Sequence, residues 1–410
     1  VSRNHMEFYS ILFEDGCDRL VYVRDRQSDN GTFVNGIRIG RPDKVEPGRL
    51  LEHGDTVTMK PYLSFKVKLP FQKRVEMTPI QKEEVKLFDG KYKVTDIILG
   101  QGASAEVRLA YDMKTGKQVA CKIYDLQSDL GNGASSFVRK TMRSITMMSQ
   151  IDHPNIASFK CAYKSVHTLY VFEELASGGD LFSLTSLYKR FMELEVRWMI
   201  RQVLEGLDYL HAKGVAHRDL KPENVLCMVS SKPAHRLALT DFGDAGSMKQ
   251  GPLMDFVGTR GFQAPEMFQP TGAHDTAIDM WALGIMTAQL LAGSGRVSVL
   301  DDLEHLLPEN PLIESLNFKA MFDEIKTMRG DAISACGQDF IRLCFETDPK
   351  ERLTASDALK HPWINEPRNI RTLFESRAQQ TRQGWNHRQC HVDLIRDLPN
   401  VLIPVTEHKE

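Results

Sequence analysis

The sequence is poor in cysteine, has no long apolar run and carries almost no net charge. Its seven cysteines stand at 17, 121, 161, 227, 336, 344 and 390, an odd and widely spaced set without a CxxC pair. A disulfide scaffold or a zinc site is therefore not expected, and the pattern fits a reducing compartment. No apolar stretch approaches the ~18 residues of a membrane helix and no signal peptide is recognisable, so no membrane partner is expected. A formal net charge of −2 leaves no global basic field for nucleic acid. Internal repeats and low-complexity runs are absent as well. What remains is an ordinary globular mixture, 42% hydrophobic and 26% charged over 410 residues, enough for about two to three domains. The first residue is Val1, inside what reads as a strand motif, so further sequence is expected upstream of it.

Residues 1–70 read as β-rich. Arg19 to Val23 and Leu63 to Val67 alternate apolar and polar, and turn pairs such as Asn30-Gly31, Asn35-Gly36 and Pro47-Gly48 separate such runs. Many short strands between regular turns predict a β-sandwich. Residues 71–91, charged and polar, read as a linker. Strands dominate from Tyr92 to Ile123. A helical period then takes over, clearest in Val196 to His211 and Thr276 to Leu291, and this predicts a two-lobed α+β domain over 92–363. Residues 364–410 form a mixed-charge tail without a clear period. The whole is multidomain: a partial all-β sandwich followed by a two-lobed α+β fold.

Several short blocks carry chemistry. Leu99-Gly100-Gln101-Gly102 and Val107 lie on either side of a glycine-rich turn, where bare backbone lets N–H groups approach phosphates. Alone this is a weak signal, since such a hairpin is more often only a turn. Fifteen residues beyond Val107, Lys122 ends the run Val119-Ala120-Cys121. A lysine closing an apolar strand needs anionic partners. His217-Arg218-Asp219-Leu220-Lys221-Pro222-Glu223-Asn224 follows, then Asp241-Phe242-Gly243 and Ala264-Pro265-Glu266. In that order and spacing the blocks are identified as those of the eukaryotic protein kinase family.

The resemblance implies a serine/threonine kinase using ATP and Mg²⁺, because phosphoryl transfer needs charge neutralisation and in-line positioning. Asp219 would orient the substrate hydroxyl and take its proton. Lys221 would touch the γ-phosphate. Lys122 would hold the α- and β-phosphates, and Asn224 and Asp241 would bind the metal. Leu99, Gly100, Gln101, Gly102, Val107, Ala120 and Glu174 complete the expected nucleotide site. Asp279 to Gly284 resembles the family's αF anchor, Arg352 matches the arginine that pairs with Glu266, and the run from Leu353 to Trp363 resembles the calmodulin-kinase-like group. Glu223 and Asp180 occupy positions used to select arginine three residues before the target hydroxyl; the plainer alternative is two solvated acids.

Departures from the family pattern are informative. The αC glutamate that pairs with the strand lysine is replaced by Ser144, and no acid occurs from Leu130 to Ile151. The helix itself keeps an apolar stripe of Val138, Met142, Ile145 and Met148. Glu173 takes the gatekeeper position, normally apolar, on the strand face of Leu169 and Val171. Either Glu173 pairs with Lys122 and replaces the missing acid, or it turns out to solvent. Ala105 stands where a third glycine is common. The activation segment offers Ser247 as a phosphosite, with Asp244 or Asp255 as a constitutive charge instead.

The N-terminal module contains Ser2-Arg3-Asn4-His5, Ser28-Asp29-Asn30-Gly31-Thr32-Phe33-Val34-Asn35-Gly36 and Leu51-Glu52-His53-Gly54-Asp55. This combination resembles the forkhead-associated (FHA) domain, which binds phosphothreonine peptides. By that match Ser2 and Arg3 contact phosphate, Asn30 grips the peptide backbone and His5 buttresses the loop. An FHA domain before a calmodulin-kinase-like domain resembles the DNA-damage and meiotic checkpoint effector kinases. That likeness implies a phosphothreonine-bearing partner, dimerisation in trans and a nuclear location, with the cytoplasm otherwise. The rival is a pseudokinase scaffold, favoured by the missing αC acid and opposed by intact Lys122, Asp219, Asn224 and Asp241.

Overall fold

Alternating apolar residues in the N-terminal 70 positions fold, among the described residues, as seven short strands: β1 Met6–Ile11, β2 Leu20–Asp25, β3 Thr32–Val34, β4 Ile37–Arg38, β5 Arg49–Leu50, β6 Thr56–Met59 and β7 Leu63–Lys66. They were obtained from a computed structural model that describes residues 4–12, 19–61, 63–69, 72, 74–101, 105–126, 134–230, 236–269, 271–293, 297–301, 316–385 and 394–401. Two sheets form, ordered β1-β2-β5 and β4-β3-β6-β7. Val23, Val34, Leu51 and Val57 fill the space between them. Asn35 and Gly36, both at positive φ (50° and 80°), close the β3–β4 hairpin, as a two-residue turn requires.

β2 is apolar on both faces, so both must be covered. Val23 enters the sandwich core. Leu20 and Tyr22, with Ile11 and Leu50, point the other way and pack on Ile97, Leu99, Leu109 and Leu175 of the next domain. Polar contacts fix the docking: Tyr9 Oη donates to the Ser177 carbonyl at 2.8 Å, and Leu50 N–H donates to Gln118 Oε1 at 2.8 Å.

The second domain begins with a twisted antiparallel sheet of β8 Tyr92–Gln101, β9 Glu106–Asp112, β10 Gln118–Asp125, β11 Phe159–Lys164 and β12 Thr168–Glu174. Before it, the stretch expected to be a linker forms helix α1, Pro79–Glu84. A Thr78/Gln81 capping box starts it, Glu84 accepts from Tyr170 Oη at 2.8 Å, and Phe88 is buried against Tyr163, Tyr170 and Phe172. Its charged composition hid one buried aromatic that ties it down. Helix α2, Ala134–Ser149, packs beside the sheet with Ile145 and Met148 buried.

The lower lobe is helical: α3 Leu181–Tyr188, α4 Glu193–Ala212, α5 Ala277–Ala292, and further helices at Phe318–Arg329 and Ala335–Cys344. Both segments with a clear helical period are helices, and α5 runs through the lobe's centre around Trp281. The tail is more ordered than its pattern implies. Helix α6, Arg368–Gly384, lays Phe374 and Ala378 on Trp198, and strand β13, Ile395–Asp397, adds to the sheet edge parallel to β11. Among the described residues no helix is long and apolar enough to cross a membrane.

Candidate active site

The strand register sets the upper half of the site. Lys122 faces Val107 on β9 and Val171 on β12, while Ala120 faces Leu109 and Glu173. Residues two apart share a face, so Glu173 is the diagonal neighbour of Lys122 on the inward side, within reach of a long side chain. The Lys122 ammonium lies 3.1 Å from Glu173 Oε2, and Glu173 is only 4% exposed. Of the two alternatives for Glu173, the inward pair is the one formed. Burial works against the charge on Lys122, but Glu173, with Tyr124 and Asp241, outweighs it and holds its pKa above the ordinary lysine value.

Ser144, at the position of the missing acid, does different work. Its hydroxyl donates to the Phe242 carbonyl at 2.7 Å, tying α2 to the Asp-Phe-Gly turn. Lys140, one turn earlier on the same helix, pairs with Asp244.

The catalytic loop supplies the lower half. Asp279, buried in α5, accepts from the main-chain N–H groups of His217 and Arg218, each at 2.8 Å, and from His211 Nε2. Burial opposes its charge, but these donors hold its carboxyl below the usual range. They also hold Arg218 at positive φ (67°). Asp219 follows. Its Oδ1 accepts from Thr259 N–H (2.9 Å) and hydroxyl (2.6 Å), and its Oδ2 from Asn224 Nδ2 (2.9 Å) and Lys221 (3.0 Å). Desolvation raises the Asp219 pKa, yet the Thr259 and Lys221 hydrogen bonds dominate and leave it below the ordinary aspartate value.

Phe242 is buried against His217, and Asp241 faces the other way, exposed, with Gly243 N–H on one oxygen. Lys122, Glu173, Asp219 and Asp241 line one cavity of about 290 Å³. Asn224 spends its amide N–H groups on Asp219, which leaves its carbonyl oxygen for a ligand. The exposed Asp241 carboxylate and the spare amide oxygen of the buried Asn224 are hard oxygen donors of the kind a divalent cation requires, and the Lys122 ammonium suits a polyphosphate.

Leu99, Gly100, Val107 and Ala120 lie on β8 to β10, with Val107 paired directly to Lys122, and Gln101 ends β8 exposed. Glu174 turns its carboxylate away, onto Arg236 at 2.6 and 3.0 Å, so only its main chain is available to a nucleotide. Gly102 lies outside the described residues, as do Ser2 and Arg3.

Asp180 is not a free acid but the N-cap of α3, accepting from Ser183 N–H at 2.6 Å. Burial pushes its pKa up to about 6. Glu223 is exposed. Glu266 and Arg352 form the expected buried pair, at 2.6 and 2.9 Å. Asp244 links more groups than the sequence indicated: besides Lys140 it accepts from Gly258 N–H, and its carbonyl accepts from Arg218 Nε. Asp255 stands 3.9 Å from Arg218. In the N-terminal module Asn30 is exposed, and His5 bonds Gly31 O and Ser28 Oγ, each at 3.2 Å, as a buttress.

A family model described as protein kinase domain matches residues 93–364, and one described as FHA domain matches residues 1–60. The chain is similar to the meiosis-specific serine/threonine-protein kinase mek1 of Schizosaccharomyces pombe, 31% identical over 92% of this chain and 80% of that protein. It is also similar to the calcium/calmodulin-dependent protein kinase type I of the same yeast, 33% identical over 72% of this chain and 87% of that one. A probable serine/threonine-protein kinase of Dictyostelium discoideum, fhkC, is 29% identical over 87% of this chain and 58% of its own length.

Proposed function

This chain belongs to the protein kinase family and is a serine/threonine protein kinase with an FHA domain ahead of its catalytic domain, and we propose that its chemistry is carried by the residues gathered around the Lys122–Asp219–Asp241 cavity. The catalytic domain occupies 92–363 in this reading, between an FHA domain at 1–70 and a tail from 364.

The observation that carries the proposal is the set of contacts on Asp219. Its carboxylate is held by Thr259, Asn224 and Lys221 and kept ionised by them. Asp219 orients the substrate hydroxyl and takes its proton as the phosphoryl group leaves ATP. Lys221 meets the γ-phosphate and Lys122 the α- and β-phosphates. The rim is Leu99, Gly100, Gln101, Gly102, Val107, Ala120 and the Glu174 main chain. Asn224 and Asp241 would hold Mg²⁺, whose part is to neutralise phosphate charge. Glu173 keeps Lys122 in position in place of an αC glutamate, which weakens the scaffold reading that the missing acid favoured. Glu223 is the acid that selects arginine at the −3 position.

The FHA domain binds phosphothreonine peptides in this reading, with Asn30 on the peptide backbone and Ser2 and Arg3 on the phosphate. Similarity to the meiosis-specific kinase supports checkpoint-type signalling in the nucleus, with recruitment and dimerisation through a phosphothreonine-bearing partner. The test is phosphorylation of a peptide with arginine at −3, with Mg-ATP, beside Asp219→Ala as control. Turnover by the parent protein alone is expected. Equal signals from the two proteins would overturn the proposal.

A further inference from the structure

The space around Lys122, Asp219 and Asp241 is bordered by Val171, Glu173 and the α2 face. Leu99 and Leu175, of the expected nucleotide rim and the segment after β12, belong to a buried apolar cluster with Ile11, Leu20, Tyr22 and Leu50 of the FHA domain, and the half-buried Tyr9, Val107 and Ala120 pack against it. Leu99 and Leu175 are left 7% and 8% exposed. We infer that the outer face of the β1-β2-β5 sheet is an intramolecular cap on the adenine end of the cleft, in competition with nucleotide.

The face is built for this contact. In a two-sheet sandwich the outward side of β2 meets water and is ordinarily polar. Here it carries Leu20 and Tyr22, both buried, with Tyr22 stacked on Tyr9 at 5.5 Å. The receiving side fits closely. Gly179, at positive φ (78°), lies close to β1: a Cβ there would come within 3.1 Å of Ile11 Cγ2, so Ile11 would have to give way. Main-chain donors are matched as well. Gly48 N–H donates to Ser177 Oγ at 2.9 Å and Leu50 N–H to Gln118 Oε1 at 2.8 Å, while Gln118 Nε2 returns a bond to the Leu50 carbonyl at 2.9 Å. A purine needs an apolar slot between the β8–β9 strands and the lower lobe, and here side chains of the FHA sheet pack with Leu99 and Leu175 in one buried cluster. Nucleotide therefore binds a form in which the sheet has lifted, and its apparent affinity is reduced by the fraction of molecules that are open. The loop bearing Asn30 remains exposed in the capped form.

This inference rests on the nucleotide site proposed above, and the tests separate the two. Binding of a fluorescent N-methylanthraniloyl-ATP with Mg²⁺ is measured for the full chain and for Ile11→Glu/Leu20→Glu, which places charge in the capping face and touches no catalytic side chain. Roughly tenfold tighter binding by the variant, at unchanged turnover under saturating ATP, is expected if about nine molecules in ten are capped. Equal, measurable affinities overturn the cap alone. Absence of binding by both proteins defeats the site assignment and the cap with it. A second measurement needs no variant. The Gly48 and Leu50 amides donate across the interface, so their hydrogen exchange reads the docking directly. Saturating Mg²⁺ with a non-hydrolysable ATP analogue is expected to speed that exchange in the unaltered protein. Unchanged protection with nucleotide bound overturns the cap.

Discussion

At the scale of single residues, the unusual feature is a carboxylate where the cleft normally has an apolar side chain. A buried, unpaired carboxylate is strongly unfavourable, and the pair with Lys122 makes it tolerable. Glu173→Gln removes the countercharge, so Lys122 loses its anchor. We expect the KM for ATP to rise roughly tenfold, with a fall in turnover. Adding Ser144→Glu to that variant returns an acid to α2, on the wall of the same cavity, and partial recovery is expected. An effect of general destabilisation would not be rescued this way. Asp180 and Glu223 separate two roles that the sequence had joined. The Asp180 carboxyl has a folded-state pKa of about 6 against an ordinary 3.8, so the folded form holds the extra proton in that window. Stability therefore falls as pH rises through it. Asp180→Asn keeps an N-cap and removes the titration. Its melting temperature should vary less between pH 4 and pH 6 than the parent's, while the arginine preference stays. Glu223→Gln should flatten that preference on a peptide array. Of these residues, the sequence made Glu173 conspicuous by its type and offered Lys122 as its partner only beside the alternative of solvent, and it did not show the capping duty of Asp180.

Among elements, those with many apolar positions were legible and those tied down by one or two contacts were not. α4 and α5 carry full stripes and were evident from period alone. α1 is short and charged, and its anchorage is the buried Phe88 behind it together with the Thr78 cap. Thr78→Ala should cost about 1 kcal/mol, read from a denaturant midpoint, and Phe88→Ala about 3–5 kcal/mol. α6 was hidden for a similar reason: Phe374 and Ala378, with Ile370 partly buried, are its contacts with Trp198 in an otherwise polar helix. β13 is three residues long and alternates too briefly to show a period; its hydrogen-bonding partner is the β11 edge. Such an edge is an open template, and only the folded sheet reveals which segment fills it.

For the molecule as a whole, the tail spans both lobes. α6 rests on α4 through Phe374 and Trp198, 5.2 Å apart, and β13 extends the upper sheet. Ending the chain after Gly384 removes β13 and leaves α6, so the upper lobe should melt earlier while the lower lobe holds. Hydrogen exchange of β11 before and after truncation checks this, and equal protection would contradict it. The sequence by itself determined the enzyme class and the order of the domains, because phosphoryl transfer dictates residue types at set spacings and leaves them in short contiguous blocks. The choice between Lys122 and solvent for Glu173, the diversion of Glu174 onto Arg236 and the packing of the FHA sheet over Leu99 and Leu175 were decided by tertiary structure. Each of these contacts joins residues far apart in the chain, and no local pattern encodes which apolar face or which charge will meet which.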